Sequence, residues 1–162
     1  GLWDIEGQIT DIKTYSFDNM DRGEVNAGMP VHDMLVRLTV NTDLEVQKAE
    51  ALTLSAPFKI CPAINNNVKK LKGLKITTGW RRNVQKIIGG LEGCTHINQM
   101  LIGPIATTAY QSIIPKKDQK KEAENTNPKK KNNRPSVINT CHAFDAKGKN
   151  VKRIWPEFYE GE

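Results

Sequence analysis

Apolar and polar residues alternate most regularly between Val31 and Val40, where Met34, Val36, Leu38 and Val40 share one face and Arg37 and Thr39 the other. A period of two predicts a half-buried strand. Alternation resumes from Leu44 through Val46 and Lys48 into Ala49–Leu52, after the polar turn Asn41–Thr42–Asp43. The two runs predict an antiparallel hairpin. Upstream, Trp3, Ile5, Ile9, Ile12 and Tyr15 predict one or two extended stretches, with Gly7 as a bulge. This first strand completes a three-stranded meander. Between them, residues 18–30 are rich in Asn, Asp, Gly and Pro and read as a long turn-rich connection.

After Pro57 the period changes. Cys61–Leu71 reads as a short helix with Pro62 in its first turn and Gly73 as its stop. Leu74–Thr77 is short and extended. Trp80, Val84, Ile87 and Ile88 have helical spacing, closed by Gly89 and Gly90. Ile97, Met100, Leu101, Ile105 and Ala109 form the apolar stripe of a longer helix over 95–113, kinked or restarted at Pro104. A short strand at Val137–Ile138 and a hairpin at Ala146–Gly148 close the chain, with Trp155, Phe158 and Tyr159 docking on the core. The expected fold is therefore α+β: a three-stranded antiparallel meander packed by two to three helices, with a hairpin-like C-terminal extension. The expected organisation is a core domain over 1–115, a basic polar linker over 116–135 and a C-terminal segment over 136–162.

Composition adds limits. A chain of 162 residues with 38% hydrophobic content is long enough for one core. No stretch approaches the roughly 20 apolar residues of a membrane span, and no secretory signal is visible. The chain enters strand-like sequence directly at Gly1, which predicts that its true N-terminus lies upstream. The charge of +6 is concentrated: residues 116–134 carry eight basic and three acidic side chains, a net +5. This stretch reads as a solvated segment with no interleaved aromatics. It predicts at most weak contacts with nucleic acid and no membrane partner. Three cysteines are too few and too odd for a disulfide scaffold, which points to free thiols in the cytoplasm.

The candidate chemistry lies in the sulfur and imidazole side chains: His32, Cys61, Cys94, His96, Cys141 and His142. All sit in turns or at element edges. Cys94 and His96 open the long helix after Gly89, Gly90 and Gly93, and a helix N-terminus favours a thiolate. Thiolate and imidazole together suit zinc or iron, with Asp33 as a further ligand or as the acceptor that orients a histidine. Cys94 is also a candidate nucleophile acting on a small molecule, with His96 or His32 as base. A third reading is a non-enzymatic interaction module that uses the basic linker. Each residue alone also has a structural reading. Cysteine is commonly a small buried hydrophobe, and Thr95 suits a helix N-cap. No CxxC, GxSxG, Walker A, dinucleotide-binding glycine motif or HExxH is present. Asp4, Glu6 and Asp11 alternate with apolar residues and read as a solvated strand face.

The segments GLWDIEGQITDIKTY, GMPVHDMLVRLTV, APFKICPAI, GGLEGCTHINQML, ATTAYQS and NTCHAF, in this order, resemble the bacterial family catalogued as domain of unknown function 2889. The resemblance covers essentially the whole chain except the Lys/Asn-rich segment. It implies a bacterial protein and supplies no activity. In architecture the chain also resembles iron–sulfur cluster scaffold proteins, in which a meander precedes helices and a P-x-C-G-D-x-M-like stretch enters a strand. Pro30–Val31–His32–Asp33–Met34 stands in the comparable place, with His32 where the scaffold has cysteine. That likeness implies an iron–sulfur cluster as one form of the iron.

Overall fold

In the computed structural model, which describes residues 1–124 and 134–162, the alternating segments become one antiparallel sheet. Strand β1 (Leu2–Ile12) pairs with β4 (Pro30–Asn41), and β4 pairs with β5 (Val46–Ser55), giving the order β1-β4-β5. Between β1 and β4 the connection forms its own small hairpin, β2 (Phe17–Asn19) with β3 (Gly23–Val25). The expected turn-rich connection thus includes a short hairpin. The Asn19 side chain accepts the backbone N–H groups of Asp21 and Arg22, closing the turn. Arg22 then donates to the Pro30 carbonyl at the start of β4.

Met34, Val36, Leu38 and Val40 are buried as the period predicts. A one-residue slip of β4 would expose all four, at about 1.5–3 kcal/mol each, so their face fixes the register. Gly7 is not a bulge. It pairs with Val36 in regular register. A Cβ built on Gly7 would lie 3.1 Å from Ile105 Cγ1, so the missing side chain admits a helix close to the sheet. The register of β1 shifts instead between Asp11 and Ile12.

The helices cover the apolar face. Cys61–Leu71 is a 3-10 helix. Helix α1 (Trp80–Ile88) spans the expected residues. Helix α2 (Thr95–Met100), a π turn (Leu101–Ile105) containing Pro104, and α3 (Ala106–Glu124) follow without a break. Proline lacks the N–H an α-helix needs at that point, and the wider turn accommodates it. The indole N–H of Trp80 donates to the Leu101 carbonyl at 2.9 Å in the buried interior, joining α1 to this turn.

The chain divides into two units, Gly1–Asp118 and Gln119–Glu162. The expected linker is helical through Glu124, because α3 runs on into it; the rest of that segment, 125–133, lies outside the described residues. In the second unit, Val137 and Ile138 lie in a turn rather than a strand. The expected hairpin at 146–148 is the entry to a short helix, α4 (Lys149–Ile154). Ile138, Ala146 and Val151 form a small core of their own, with Trp155 and Phe158 packed on it. Among the described residues no helix is long and apolar enough to cross a membrane.

Candidate functional site

The strands bring two side chains to one corner of the apolar face. In β1 that face carries the odd positions Ile5, Gly7 and Ile9, and at its end Asp11. In β4 it carries the even positions, beginning with His32. Asp11 and His32 are direct partners in the ladder. Their side chains meet, with His32 Nδ1 2.9 Å from Asp11 Oδ2. An ionised carboxylate only accepts, so Nδ1 carries the proton and donates. The His32 bond, joined by nearby Lys13 and opposed by partial burial, holds the Asp11 carboxyl below the usual carboxylate value.

The second pair of groups arrives on α2. Its entry loop is pinned from two sides. Asn98, buried, donates from its side chain to the Ile88 carbonyl at 2.7 Å, and Asn67 donates to the Glu92 carbonyl at 2.8 Å. A Cβ on Gly93 would lie 1.9 Å from the Ile88 carbonyl oxygen, so only glycine permits this path. Cys94, not Thr95, is the N-cap residue; its backbone is extended and its carbonyl accepts the Asn98 N–H. Its thiol turns to the sheet. Cys94 Sγ lies 3.8 Å from His96 Nδ1 and 3.8 Å from Met34 Sδ. The His96 ring rests on the His32 ring, with centroids 4.1 Å apart and planes tilted by 36°. Burial, then the neighbouring His32, depress the His96 pKa, and Asp11 opposes them. The result is a continuous series of contacts: Asp11, His32, His96, Cys94 and Met34.

The other expected members are not linked to it by any described contact. Asp33 follows His32 by one residue, and strand geometry sends its side chain to the opposite face, where Gln8 and Thr10 donate to it. The orienting role expected of Asp33 is taken by Asp11. Cys61 begins the 3-10 helix, its N–H bonded to the Phe58 carbonyl, and no hydrogen bond joins its thiol to the corner. Cys141 and His142 belong to the second unit. Among the described residues no three His, Cys, Asp or Glu side chains are arranged to hold a metal ion. A shallow hollow bordered by Glu6, Arg37, Glu50 and Leu52 shares no residue with this corner.

Asp11 was legible only in part, and Met34 not at all. Asp11 has the parity of Ile5 and Ile9, not of Asp4 and Glu6, which marks it as a carboxylate on the apolar face in need of a partner. Met34 carries no such signal, since a methionine in a buried strand position normally just fills the core.

One family model matches the chain, over residues 1–111, with the description "Protein of unknown function (DUF2889)". The match contains every residue of the corner and ends before NTCHAF. No curated protein and no solved structure matches.

Proposed function

The chain belongs to the DUF2889 family, whose description assigns no activity, and we propose from its own donors that the Cys94–His96 corner binds a transition-metal ion. The 3.8 Å separation of Cys94 Sγ and His96 Nδ1 carries this reading. It is within reach of a hydrogen bond to sulfur. It is also the spacing of two donors that share one ion at about 2.0–2.3 Å each. The chemistry of the donors agrees, because thiolate with imidazole suits zinc, iron and copper. His32 supports the reading from the side. Its Nδ1 is held by a carboxylate, the outer-shell pattern that leaves the second ring nitrogen free for an ion.

The test uses the full chain carrying Cys61→Ser and Cys141→Ser, purified anaerobically under reducing conditions and then offered zinc, iron(II) and copper(I) separately. Elemental analysis after desalting is expected to find about one ion per chain, lost in Cys94→Ser and His96→Asn. Absence of all three ions from the chain with Cys94 and His96 intact ends the reading.

A second reading rests on one further observation. Burial favours the uncharged form of His96, and an uncharged imidazole beside Cys94 Sγ is a proton acceptor for a nucleophilic thiol. Exposure alone would make Cys141 the fastest of the three thiols to alkylate, because Cys94 is half-buried and Cys141 exposed. An activated Cys94 reverses that order with iodoacetamide. Slow labelling in order of exposure rejects the nucleophile.

A further inference from the structure

Resting on the metal-binding reading, we infer that the ion at this corner is monovalent copper and that Met34 is one of its ligands. Cys94 Sγ has two soft neighbours at the same distance, 3.8 Å: the thioether of Met34 and Nδ1 of His96. Each distance is what two donors sharing one ion would show, with bonds of about 2.0–2.3 Å. Soft thiolate and thioether ligands suit copper(I), whereas zinc sites draw on thiolate, imidazole and carboxylate. The donors converging at Cys94 therefore do not include three His, Cys, Asp or Glu groups; the third is a sulfur that carries neither charge nor proton.

Burial points the same way. Met34 is 1% exposed, so the thioether side of the corner is part of the core. Thioether and imidazole are neutral, and Cys94 contributes one negative charge on giving up its thiol proton to solvent. No electron is transferred on binding. Met34 is also held in place: its strand is the central one of the sheet, and its backbone position is set by pairing with Ile9 on one side and Thr53 on the other.

The experiment is a copper(I) titration of the Cys61→Ser/Cys141→Ser chain against the chromophoric chelator bicinchoninate, anaerobically with ascorbate, beside a zinc titration. One copper(I) per chain is expected, held more tightly than zinc. Met34→Leu, which keeps the core volume, is expected to weaken copper(I) by at least about tenfold, the lower end of what losing even an outer-shell partner costs. Zinc affinity should stay within about threefold, since zinc sites draw on thiolate, imidazole and carboxylate rather than thioether. Copper-edge X-ray absorption of the protein with Met34 intact gives an answer independent of the variant's folding: two sulfur neighbours per copper are expected. One sulfur per copper, or unchanged copper(I) affinity in a folded Met34→Leu chain, overturns the inference. Zinc bound more tightly than copper(I) overturns it and leaves the metal-binding reading standing; binding of neither ion removes both.

Discussion

Asp11 and His32 face each other across the β1–β4 ladder, and that single pairing places a carboxylate 2.9 Å from the nitrogen that orients the His32 ring. Both side chains are partly exposed, at 32% and 17%. The pair should therefore contribute little to stability, roughly 0–1 kcal/mol. Its effect should appear in the ring's orientation. On the proposed metal-binding reading with His32 beside the ion, Asp11→Ala is expected to unfold at nearly the parent temperature yet to bind the ion about 10–100-fold more weakly, as removal of an outer-shell partner does. Chelator competition beside a thermal melt reads both quantities. Undiminished affinity would remove Asp11 from the site.

Stability should depend on pH through His96. Its pKa lies below the ordinary 6.5 in the folded chain, first through burial and then through His32. Between the folded value and 6.5 the unfolded chain binds more protons, so acidification favours unfolding. His96 imposes no such penalty above 6.5, and the penalty grows as the pH falls through that value. The Tm of the metal-free protein is expected to fall more between pH 7.5 and 5.5 than that of His96→Asn. Equal slopes in the two proteins would contradict the half-buried, uncharged imidazole.

Asn98 ties the end of α1 to the start of α2. Its side chain is buried, and its donor is committed to the Ile88 carbonyl. Asn98→Ala leaves that carbonyl without its side-chain donor and should cost about 1–3 kcal/mol. The loss should also loosen the loop that carries Cys94. Urea denaturation measures the first effect, and faster iodoacetamide labelling of Cys94 reports the second. A change within about 0.5 kcal/mol, ordinary for a surface position, would show that the bond is dispensable.

Gly7 marks the closest approach of the π turn to the sheet. A methyl there would meet Ile105 at 3.1 Å, and a branched side chain would meet more of it. Gly7→Val should overpack this contact and cost about 1–3 kcal/mol despite the higher strand propensity of valine. Chemical denaturation decides the sign. A stabilised Gly7→Val would show that α2 and its continuation move away freely.

Local signals made most of the fold readable. The period of two in β4 and the spacing of apolar residues in α1 are properties of a few adjacent residues, and both elements appear where those patterns lie. Errors fell where no periodic apolar face exists to read. The β2–β3 hairpin is held by Asn19 and Arg22, the run after Pro115 continues α3, and residues 137–148 turn rather than extend.

By itself the sequence determined the inventory: three free thiols, three imidazoles, the strand faces and the helix that Cys94 opens. Tertiary structure alone decided which of them meet. Strand parity already separates His32 from Asp33 by sending them to opposite faces, but it does not reveal what is laid over either face. That depends on how α2, 60 residues after Met34, packs on the sheet. Packing is set by the fit of whole surfaces, here the absent side chain of Gly7 against Ile105 and the Trp80 bond to Leu101. Among the described residues no hydrogen bond links the Cys61 thiol to the corner, while Met34, which looked like ordinary core, lies against the Cys94 sulfur.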